Sequence, residues 1–459
     1  MDKLRITKIE IEKLFGYLDH PIKLNESGIT FVHGPNGCGK TTILNLISAI
    51  FTNDFYVIAN IEFASINIFF SDDSTLVITK SSKKKTNNRL TLVEIDNDYQ
   101  DDYVALHLDY HRSGHKVDHF DFPGDIEKTN NRISSIELVN RIPFLRRIGP
   151  REWIDRRTEE VLSYNGVLKK YYGMLFDETD IPKWYYNLCN ELNIQYIKTQ
   201  RLLSIDHHNS RRDSERPVQE AIQVYAKELQ NLMSEKLAEQ AATSQEYDSS
   251  FPERLLSGKV RHESEEDIRS RYQEIDKKTK ALVNAGLINK QRYIPLPDQQ
   301  LDSSQLQVMT LYLDDMENKL AVFDIELEKI NAFLDIVSNK LHGKTLLLSR
   351  TDGFGVIAKQ GAHPDKQKIN PSYLSSGEQH QIVLFYELIF KSKENTLYLI
   401  DEPEISLHID WQRKFIDDIL KVKNIGNSYF LIATHSPQII GSHYDESIAL
   451  NGGILEEQE

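Results

Sequence analysis

The stretch "ITFVHGPNGCGKTTILNLISAIF", residues 29–51, decides the fold class of this chain. Within it, "GPNGCGKT" fits the pattern G-x-x-x-x-G-K-[ST], which requires a strand before it and a helix after it. The apolar run "ITFVH" predicts the strand, and "TTILNLISAIF" predicts the helix. The glycines let the backbone curl so that its N–H groups face a polyphosphate, and the helix adds its positive N-terminal end. We therefore predict a phosphate-binding loop in an α/β fold.

The side chains of this loop predict how a nucleotide is held. Lys40 can reach the β- and γ-phosphates, and the hydroxyl of Thr41 can be a ligand of Mg²⁺. Cys38 is expected to fill space in the loop rather than to act as a redox switch. The predicted nucleotide-binding residues of the loop are Gly34, Pro35, Asn36, Gly37, Cys38, Gly39, Lys40, Thr41 and Thr42.

Two later strands end in residues that complete such a site. "TLYLIDEPE" ends an apolar strand in Asp401 and Glu402. Asp401 can hold Mg²⁺ directly or through water, and Glu402 can orient and deprotonate the attacking water. "YFLIATHS" places His435 after another apolar strand, where it can hydrogen-bond a γ-phosphate. A histidine at a strand end is often structural, but its order after Asp401 and Glu402 favours the catalytic interpretation.

The stretch "YLSSGEQHQ", residues 373–381, is a polar turn when taken alone. Together with the three motifs above it resembles the signature of ABC-type ATPases, which starts a helix and contacts a γ-phosphate. The resemblance implies that Ser375, Ser376, Gly377 and Glu378 complete the site of a second copy. A head-to-head dimer, or a higher oligomer, follows from that implication.

The ordered set of motifs resembles the ATPase head of SMC-like proteins. The bacterial branch that it resembles includes the overcoming-lysogenization-defect nucleases and the PtuA ATPases of Septu antiphage systems. The resemblance implies that Gln200, which ends "NIQYIKTQ", is a Q-loop residue that contacts nucleotide and Mg²⁺. It also implies that Phe15 can stack on a base, although core packing of Phe15 is an alternative that the sequence favours at least as much. ATP and Mg²⁺ are the implied cofactors.

The domain organisation follows from a change of composition in the middle of the chain. Residues 1–200 and 343–459 are predicted to form the two lobes of the α/β head, and residues 201–342 a helical coiled-coil insertion. The insertion carries apolar residues at alternating steps of three and four, the spacing of a coiled-coil seam: Leu313, Met316, Leu320, Phe323, Leu327, Ile330, Leu334, Val337 and Leu341. A weaker series runs from Ile268 to Gly286, and "YIPLPDQQ" separates the two. We expect either a projecting hairpin of two helices or ordinary bundle helices packed on the head.

The composition limits which cellular compartment and which binding partners are expected. The chain has 459 residues with 55 Lys and Arg against 69 Asp and Glu, a net charge of −14. DNA contact is therefore expected only at local basic patches, such as the arginines around Trp153 in "LRRIGPREWIDRR". A buried tryptophan beside surface arginines is the alternative there. Two cysteines and no long apolar run predict a cytoplasmic protein without a membrane partner.

Three functions fit these motifs. The leading hypothesis is an ATP-hydrolysing regulator of a separate HNH-type nuclease subunit in antiphage defence. No TOPRIM nuclease domain is expected after the head, because the sequence ends shortly after His435. The second hypothesis is a DNA repair or maintenance ATPase that clamps DNA. The third, a transporter ATPase subunit, is disfavoured by the helical insertion. The sequence leaves open whether binding or hydrolysis of ATP is the signal.

Overall fold

The computed structural model describes residues 3–83, 103–122, 138–139, 141–142, 144–150, 152–156, 160–164, 166–167, 171, 181–199, 201–205, 218–257, 263–289, 295–358, 368–405 and 407–450. The strands in chain order are β1 (Ile6–Leu14), β2 (Leu18–Lys23), β3 (Ile29–His33), β4 (Ser65–Phe70), β5 (Ser74–Lys83), β6 (Tyr103–Arg112), β7 (His115–Phe122), β8 (Leu145–Arg147), β9 (Glu152–Asp155), β10 (Val161–Ser163), β11 (Ile194–Ile197), β12 (Leu203–Ile205), β13 (Val218–Glu220), β14 (Lys344–Ser349), β15 (Gly353–Ala358), β16 (Lys368–Ile369), β17 (Leu397–Asp401), β18 (Tyr429–Ala433) and β19 (Ser447–Ala449). The helices are α1 (Lys40–Phe51), α2 (Phe55–Asn60), α3 (Lys183–Glu191), α4 (Ala221–Leu256), α5 (Glu265–Asn284), α6 (Ser303–Ala321), α7 (Asp324–Ser338), α8 (Ser376–Phe390), α9 (Ile409–Arg413), α10 (Phe415–Gly426) and α11 (Pro437–Ile440).

A five-stranded parallel sheet organises the head. Its strand order is β11-β17-β18-β3-β19, and every neighbouring pair runs parallel. Strands β3, β17 and β18 are almost entirely apolar, as expected where both faces of a sheet are covered. Because the strands are parallel, their carboxyl ends meet at one edge, and the loops that follow β3, β17 and β18 lie side by side there.

The parallel sheet separates two hydrophobic cores. Successive side chains of a strand point to opposite faces. Phe31 and Tyr398 therefore join the core that contains α8 and α10. Their chain neighbours Val32 and Leu399 join the core that contains α1. The sheet thus supports the phosphate-binding loop's helix on one face and the signature helix on the other.

A six-stranded antiparallel sheet covers the α1 side, with the order β2-β1-β4-β5-β6-β7. The sequence predicts short strands in hairpins at "SINIFFS", "TLVITKSS" and "RLTLVEID". The first two correspond to β4 and β5. The predicted strand "RLTLVEID" lies outside the described residues. Strands β14, β15 and β16 form a further antiparallel sheet in the C-terminal lobe, and β8–β10 and β12–β13 form small sheets.

The helices α4–α7, here called the arm, continue the core of the C-terminal lobe. Helix α4 has 36 residues, a length of about 54 Å. Its buried residues lie in its first half, from Ala221 to Met233, where it packs on the head. Lys236 pairs with Glu326, and Lys319 pairs with Asp248. Helix α4 therefore runs antiparallel to α6 and α7.

The predicted two-helix hairpin is wrong in its topology. Arg271 of α5 pairs with Glu317 of α6, and Lys278, further along α5, pairs with Asp324, further along the chain. Helices α5 and α6 therefore run parallel. Residues 295–301 lie beside the start of α5, because Arg269 donates to the carbonyl oxygens of Pro297 and Gln299. Helix α6 therefore begins at the same end of the arm as α5. The predicted alternative, bundle helices packed on the head, describes the arrangement.

The residues of the coiled-coil series are buried or partly buried, but they do not lie on one continuous helix. Leu313, Leu320, Ile330 and Val337 are all buried, as the spacing predicts. Helix α6 ends at Ala321 and α7 begins at Asp324, with buried Phe323 at the junction. The break redirects the second half of the series onto α8 and α10. The predicted boundaries at residues 200/201 and 342/343 stay a prediction.

Candidate nucleotide-binding site

The loop between β3 and α1 has a conformation that depends on glycine. Gly37 and Gly39 have φ values of +86° and +92°, in the left-handed region, and Gly39 caps helix α1. A Cβ on Gly34 would lie 2.5 Å from the carbonyl oxygen of Leu450. These constraints leave the backbone of residues 34–39 curled around the N-terminus of α1, as the sequence pattern predicts.

The ammonium group of Lys40 folds back over this loop. Its Nζ donates to the carbonyl oxygens of Gly34 at 2.9 Å and Pro35 at 3.1 Å. It also lies 3.7 Å from Sγ of Cys38, which is buried in the loop. The residue is only 5% exposed. Among the described residues no carboxylate pairs with Lys40, so an anion bound at the loop would provide its counter-charge.

Asp401 accepts hydrogen bonds from threonines on two different elements. The hydroxyl of Thr41 lies 3.0 and 3.1 Å from the two carboxylate oxygens of Asp401. The hydroxyl of Thr199, after β11, donates to Oδ2 at 3.0 Å. Thr199 was missed by sequence reasoning. The available signal was its place after a strand, although only the pairing of β11 with β17 brings it beside Asp401.

Glu402 and His435 lie together in a cleft above the loop. Nε2 of His435 is 3.6 Å from the carboxylate of Glu402. Glu402 has a φ of +42°, and its N–H donates to the carbonyl oxygen of Ala433 at 2.9 Å, which joins the ends of β17 and β18. The cleft has a volume of about 170 Å³ and is lined by Phe15, Asn36, Gly37, Gly39, Lys40, Thr41, Thr42, Glu402 and His435. Phe15 is 38% exposed at this cleft and is therefore not a core residue.

Glu404 holds the segment that carries His435. Its Oε1 accepts hydrogen bonds from the N–H of His435 at 2.6 Å, the hydroxyl of Thr434 at 2.8 Å and the N–H of Ser436 at 3.1 Å. Sequence reasoning assigned no role to this residue, although it follows Asp401 and Glu402 closely in "DEPE". The contacts identify it as a residue that orients the loop after β18.

Arg201 is a buried cation beside the site that sequence reasoning also missed. It is 5% exposed, and its guanidinium nitrogens have no hydrogen-bond partner among the described residues. Burial lowers the pKa of Arg201 to about 10, although the negative charges of Glu387, Asp401 and Glu404 act to raise it. Its chain neighbour Gln200, predicted to contact nucleotide and metal, lies outside the described residues.

The signature segment, Ser375–Glu378, begins helix α8. Ser375 and Glu378 form a capping box, and the hydroxyl of Ser375 donates to Glu378 at 2.9 Å. Lys344 donates to both carboxylate oxygens of Glu378 at 2.8 Å. Burial raises the pKa of Glu378, but Lys344 and Ser375 lower it more, and the net shift is downward.

The signature segment does not line the cleft above the phosphate-binding loop of its own chain. Ser375 and Ser376 are exposed, while Glu378 is buried. The described residues that line the cleft include none of the four signature residues. Within one copy of the chain, the fold therefore brings together the loop residues, Asp401, Glu402 and His435, but not Ser375, Ser376, Gly377 and Glu378.

The residues at the cleft fit a triphosphate and a magnesium ion. The glycine loop and the N-terminus of α1 supply N–H donors, and Lys40, which pairs with no carboxylate of the described residues, supplies a positive charge. Thr41 and Asp401 supply the oxygen ligands that Mg²⁺ prefers. A Cβ at position 34 would collide with Leu450. Glycine is therefore required there, and no side chain at this position obstructs the backbone of the loop.

Comparison with known families decides the assignment of the fold. The model of a family described as AAA ATPase domain matches residues 4–440. The chain belongs to the AAA ATPase domain family. The family assignment agrees with the predicted ATPase domain, and the mixed α/β architecture of this AAA ATPase agrees with the predicted α/β class. No helix in the described part of this AAA ATPase is long and apolar enough to cross a membrane.

Curated relatives of the AAA ATPase match only part of their own length. UvrABC system protein A of Clostridium acetobutylicum is 35% identical over 80 residues, which are 17% of this chain and 8% of that protein. The Retron Ec83 probable ATPase of Escherichia coli is 30% identical over 145 residues, 28% of this chain and 26% of that protein. The AAA ATPase therefore spans about a quarter or less of the length of these relatives.

Two solved SMC head structures align along most of the AAA ATPase. The Smc head domain with an extended coiled coil from Pyrococcus furiosus, bound to the C-terminal domain of ScpA, covers 98% of this chain and 94% of its own, with 14% identity and a TM-score of 0.37. The SMC head domain from Thermotoga maritima covers 95% of this chain and 91% of its own, with 11% identity and a TM-score of 0.30.

Proposed function

We propose that this AAA ATPase binds and hydrolyses Mg–ATP in the cleft above residues 34–42, and that its nucleotide state regulates a separate nuclease subunit in antiphage defence. One observation carries the proposal: Glu402 and His435 face the same small cleft as Lys40 and Thr41. A carboxylate, an imidazole, an ammonium and a glycine loop around one cleft are the groups that phosphate-anhydride hydrolysis requires.

The magnesium ligands in this proposal are the hydroxyl of Thr41 and the carboxylate of Asp401. Their separation of 3.0–3.1 Å, with Thr199 bonded to the same carboxylate, supports a preformed pair of oxygen ligands. When bound, Mg²⁺ supplies charge neutralisation at the phosphates. Gln200 remains a predicted third ligand.

The hydrolytic chemistry is assigned to Glu402 and His435. Glu402 orients a water molecule and accepts its proton, as its position one residue after Asp401 supports. His435 donates a hydrogen bond to the terminal phosphate, and Glu404 holds its backbone in place. Lys40 holds the phosphates through its charge. Substitutions of Lys40 and Glu402 test the roles of these two residues.

The site is completed by the signature segment of a second copy. Support comes from Ser375 and Ser376, which are exposed and absent from the cleft of their own chain. Large apolar side chains also lie exposed near the two halves of this site: Tyr17 at 59%, Tyr373 at 83%, Ile405 at 40% and Ile409 at 49%. A head-to-head dimer would cover such surface.

The regulatory part of the proposal rests on resemblance and on the content of the chain. The motif set resembles the PtuA group, which implies a separate HNH-type nuclease. The chain is also similar over 145 residues to the Retron Ec83 probable ATPase, whose name assigns that protein to a retron. The resemblance to the PtuA group supports an ATPase that works beside another component.

The arginine-rich stretch around Trp153 is a weaker candidate for a partner surface than the sequence suggested. Trp153 is fully buried among Leu138, Leu145 and Leu162 and cannot contact a partner. Arg147 donates to the carbonyl oxygens of Gly149 and Pro150 and so also has a local structural role. Arg151 and Arg157 lie outside the described residues.

A second candidate function is a DNA repair or maintenance ATPase that clamps DNA. The exposed arginines Arg146, Arg147 and Arg156 favour it, because phosphate contacts need accessible cations. The two functions differ in whether a nuclease partner is required.

The proposal is tested with the chain purified alone and together with the nuclease encoded beside it. We expect no DNA cleavage by the chain alone with any divalent metal, and a nuclease rate that differs between wild type and Lys40→Ala when ATP is present. Equal nuclease rates with the two proteins would contradict regulation by nucleotide. ATP-dependent DNA binding by the chain alone, lost in an Arg146→Ala/Arg147→Ala variant, would support the clamp instead.

A further inference from the structure

A cluster of two histidines and two aspartates lies on the outer face of the β6–β7 hairpin. In the antiparallel register His107 pairs with Asp121, and Asp109 pairs with His119. Residues two apart on a strand share a face, so the four side chains form a square on one surface. The other face of the hairpin packs into the head through Leu106, Leu108, Phe120 and Phe122. The square, here called the His–Asp cluster, is held on a rigid support.

Three atoms of the cluster converge on one point. Oδ1 of Asp121 lies 2.5 Å from Nδ1 of His107 and 2.8 Å from Nε2 of His119. The donor atoms of these three residues all lie within 4.8 Å of one another. A tetrahedral zinc ion with bonds of about 2.0–2.1 Å keeps its ligand atoms roughly 3.3 Å apart. Shifts of less than about 1 Å would therefore admit the ion.

The remaining ring nitrogen of each histidine is already bound elsewhere. Nε2 of His107 lies 2.7 Å from the hydroxyl of Ser81, and Nδ1 of His119 lies 2.5 Å from Asp109. Such bonds fix the tautomer and turn the free nitrogen toward the metal, as partners behind metal-bound histidines do. Lys116, 2.7 Å from Asp109, balances the second carboxylate.

The residue types of the cluster suit a zinc ion. The histidines supply the two nitrogen ligands that Zn²⁺ accepts, and two histidines with one carboxylate leave a fourth position open.

We propose that His107, His119 and Asp121 form a Zn²⁺ site, with Ser81 and Asp109 orienting the two histidines. The site lies on the outer strands of the six-stranded sheet and involves none of the residues of the nucleotide cleft. Bound zinc joins the edge strand β7 to β6. The fourth position is open to water or to a donor atom of a partner.

The test uses the full chain, stripped of metal and titrated with Zn²⁺ in excess Mg²⁺. We expect about one zinc per chain by elemental analysis after desalting. His119→Gln and Asp121→Asn should lose this zinc, and Asp109→Asn should weaken its binding roughly 10-fold in a chelator competition. His115→Gln, an exposed histidine on the same hairpin, should bind as wild type does.

Two further measurements separate this site from the nucleotide cleft and from misfolding. Lys40→Ala should retain the zinc, and Co²⁺ should give the visible absorption of a tetrahedral site in wild type but not in His119→Gln. Circular dichroism establishes that each variant is folded, and ATP binding does so in addition for the variants of the β6–β7 hairpin. The proposal is overturned if the folded wild type binds no zinc, or if His119→Gln and Asp121→Asn both keep their full zinc content. Either result would mean that the cluster consists of hydrogen-bonded surface pairs only.

Discussion

The hydroxyl of Thr41 lies 3.0 and 3.1 Å from the two carboxylate oxygens of Asp401, although 360 positions separate these residues in the chain. The contact joins the first residues of α1 to the end of β17. It exists because β3 and β17 belong to one parallel sheet, whose carboxyl ends share an edge. Variants around this contact test the proposed chemistry.

Lys40→Ala is expected to abolish ATP binding. The ammonium group is the positive side chain of the cleft, and the phosphates would lose their counter-charge. Titration with ATP by calorimetry measures the effect. Lys23→Ala, which removes an exposed lysine from β2, should bind ATP as wild type does. If the two variants bind ATP with equal affinity, Lys40 is not part of the nucleotide-binding site.

Glu402→Gln is expected to bind ATP but to hydrolyse it roughly 10²–10⁴-fold more slowly, because only the proton acceptor is removed. Phosphate release and nucleotide titration, measured on the same preparation, separate the two effects. Glu394→Gln removes an exposed glutamate near the start of β17 and should leave turnover unchanged. Turnover by Glu402→Gln at the wild-type rate would show that another group accepts the proton.

Ser375→Arg is expected to remove hydrolysis when every copy carries it, because the signature segment completes the neighbouring copy's site. A 1:1 mixture of Ser375→Arg and Lys40→Ala should recover roughly one quarter of the wild-type rate, since half of the two-fold symmetric dimers are mixed and each has one intact site. A mixture without activity would indicate that the two sites work only together.

Full hydrolysis by pure Ser375→Arg protein would rule out the composite site. Because Ser375 also caps α8, thermal unfolding of the variant must be measured alongside its activity.

Thr199→Val is expected to weaken the apparent affinity for Mg²⁺ in the ATPase reaction roughly 10-fold. The change keeps the shape of the side chain but removes its hydrogen bond to Asp401. The magnesium dependence of the rate at saturating ATP measures the effect. Thr7→Val, which removes a surface hydrogen bond to Phe69, is the matched control. An unchanged magnesium dependence would mean that Thr199 does not orient Asp401.

Asp418→Asn is expected to destabilise the fold by about 3–5 kcal/mol, because it leaves the charge of Lys340 buried without a partner. Both residues are buried where the end of the arm meets α10, with exposures of 4% for Lys340 and 7% for Asp418. Burial raises the pKa of Asp418 despite the opposing charge of Lys340. Denaturation in urea measures the change.

An exposed ion pair close to Lys340 and Asp418 in the sequence offers a control for that prediction. Asp335 of α7 and Lys421 of α10 form an exposed pair, with side-chain exposures of 54% and 45%. Asp335→Asn should cost about 0–1 kcal/mol, since exposed pairs are screened by water. Equal costs for both variants would show that burial does not set the strength of the pair.

Local patterns were enough to predict the framework of the head. The strand at Ile29–His33 and the helix at Lys40–Phe51 follow from an apolar run, a glycine loop and a helical spacing, all within one short stretch. The apolar strands β17 and β18 are equally visible, because strands covered on both faces are apolar throughout. These features depend on residues close together in the chain.

The structure of the arm could be predicted only in part from local patterns. Its apolar spacing correctly predicted which faces of α5, α6 and α7 are buried. The spacing does not specify which helix a buried face contacts, so the parallel course of α5 and α6 was not predicted. Ion pairs between elements, such as that of Lys278 with Asp324, reveal the course only in the folded chain.

The sequence by itself determined the phosphate-binding loop, the α/β class and the acidic and imidazole residues at strand ends, because each depends on local periodicity and residue chemistry. Only the tertiary structure decided that Thr199 bonds Asp401, that Glu404 holds the backbone of His435, and that Arg201 is buried beside them. It alone brought His107 and His119 to one point through strand register. Contacts between distant residues follow from which strands pair and in what register, and no short stretch of sequence encodes that choice.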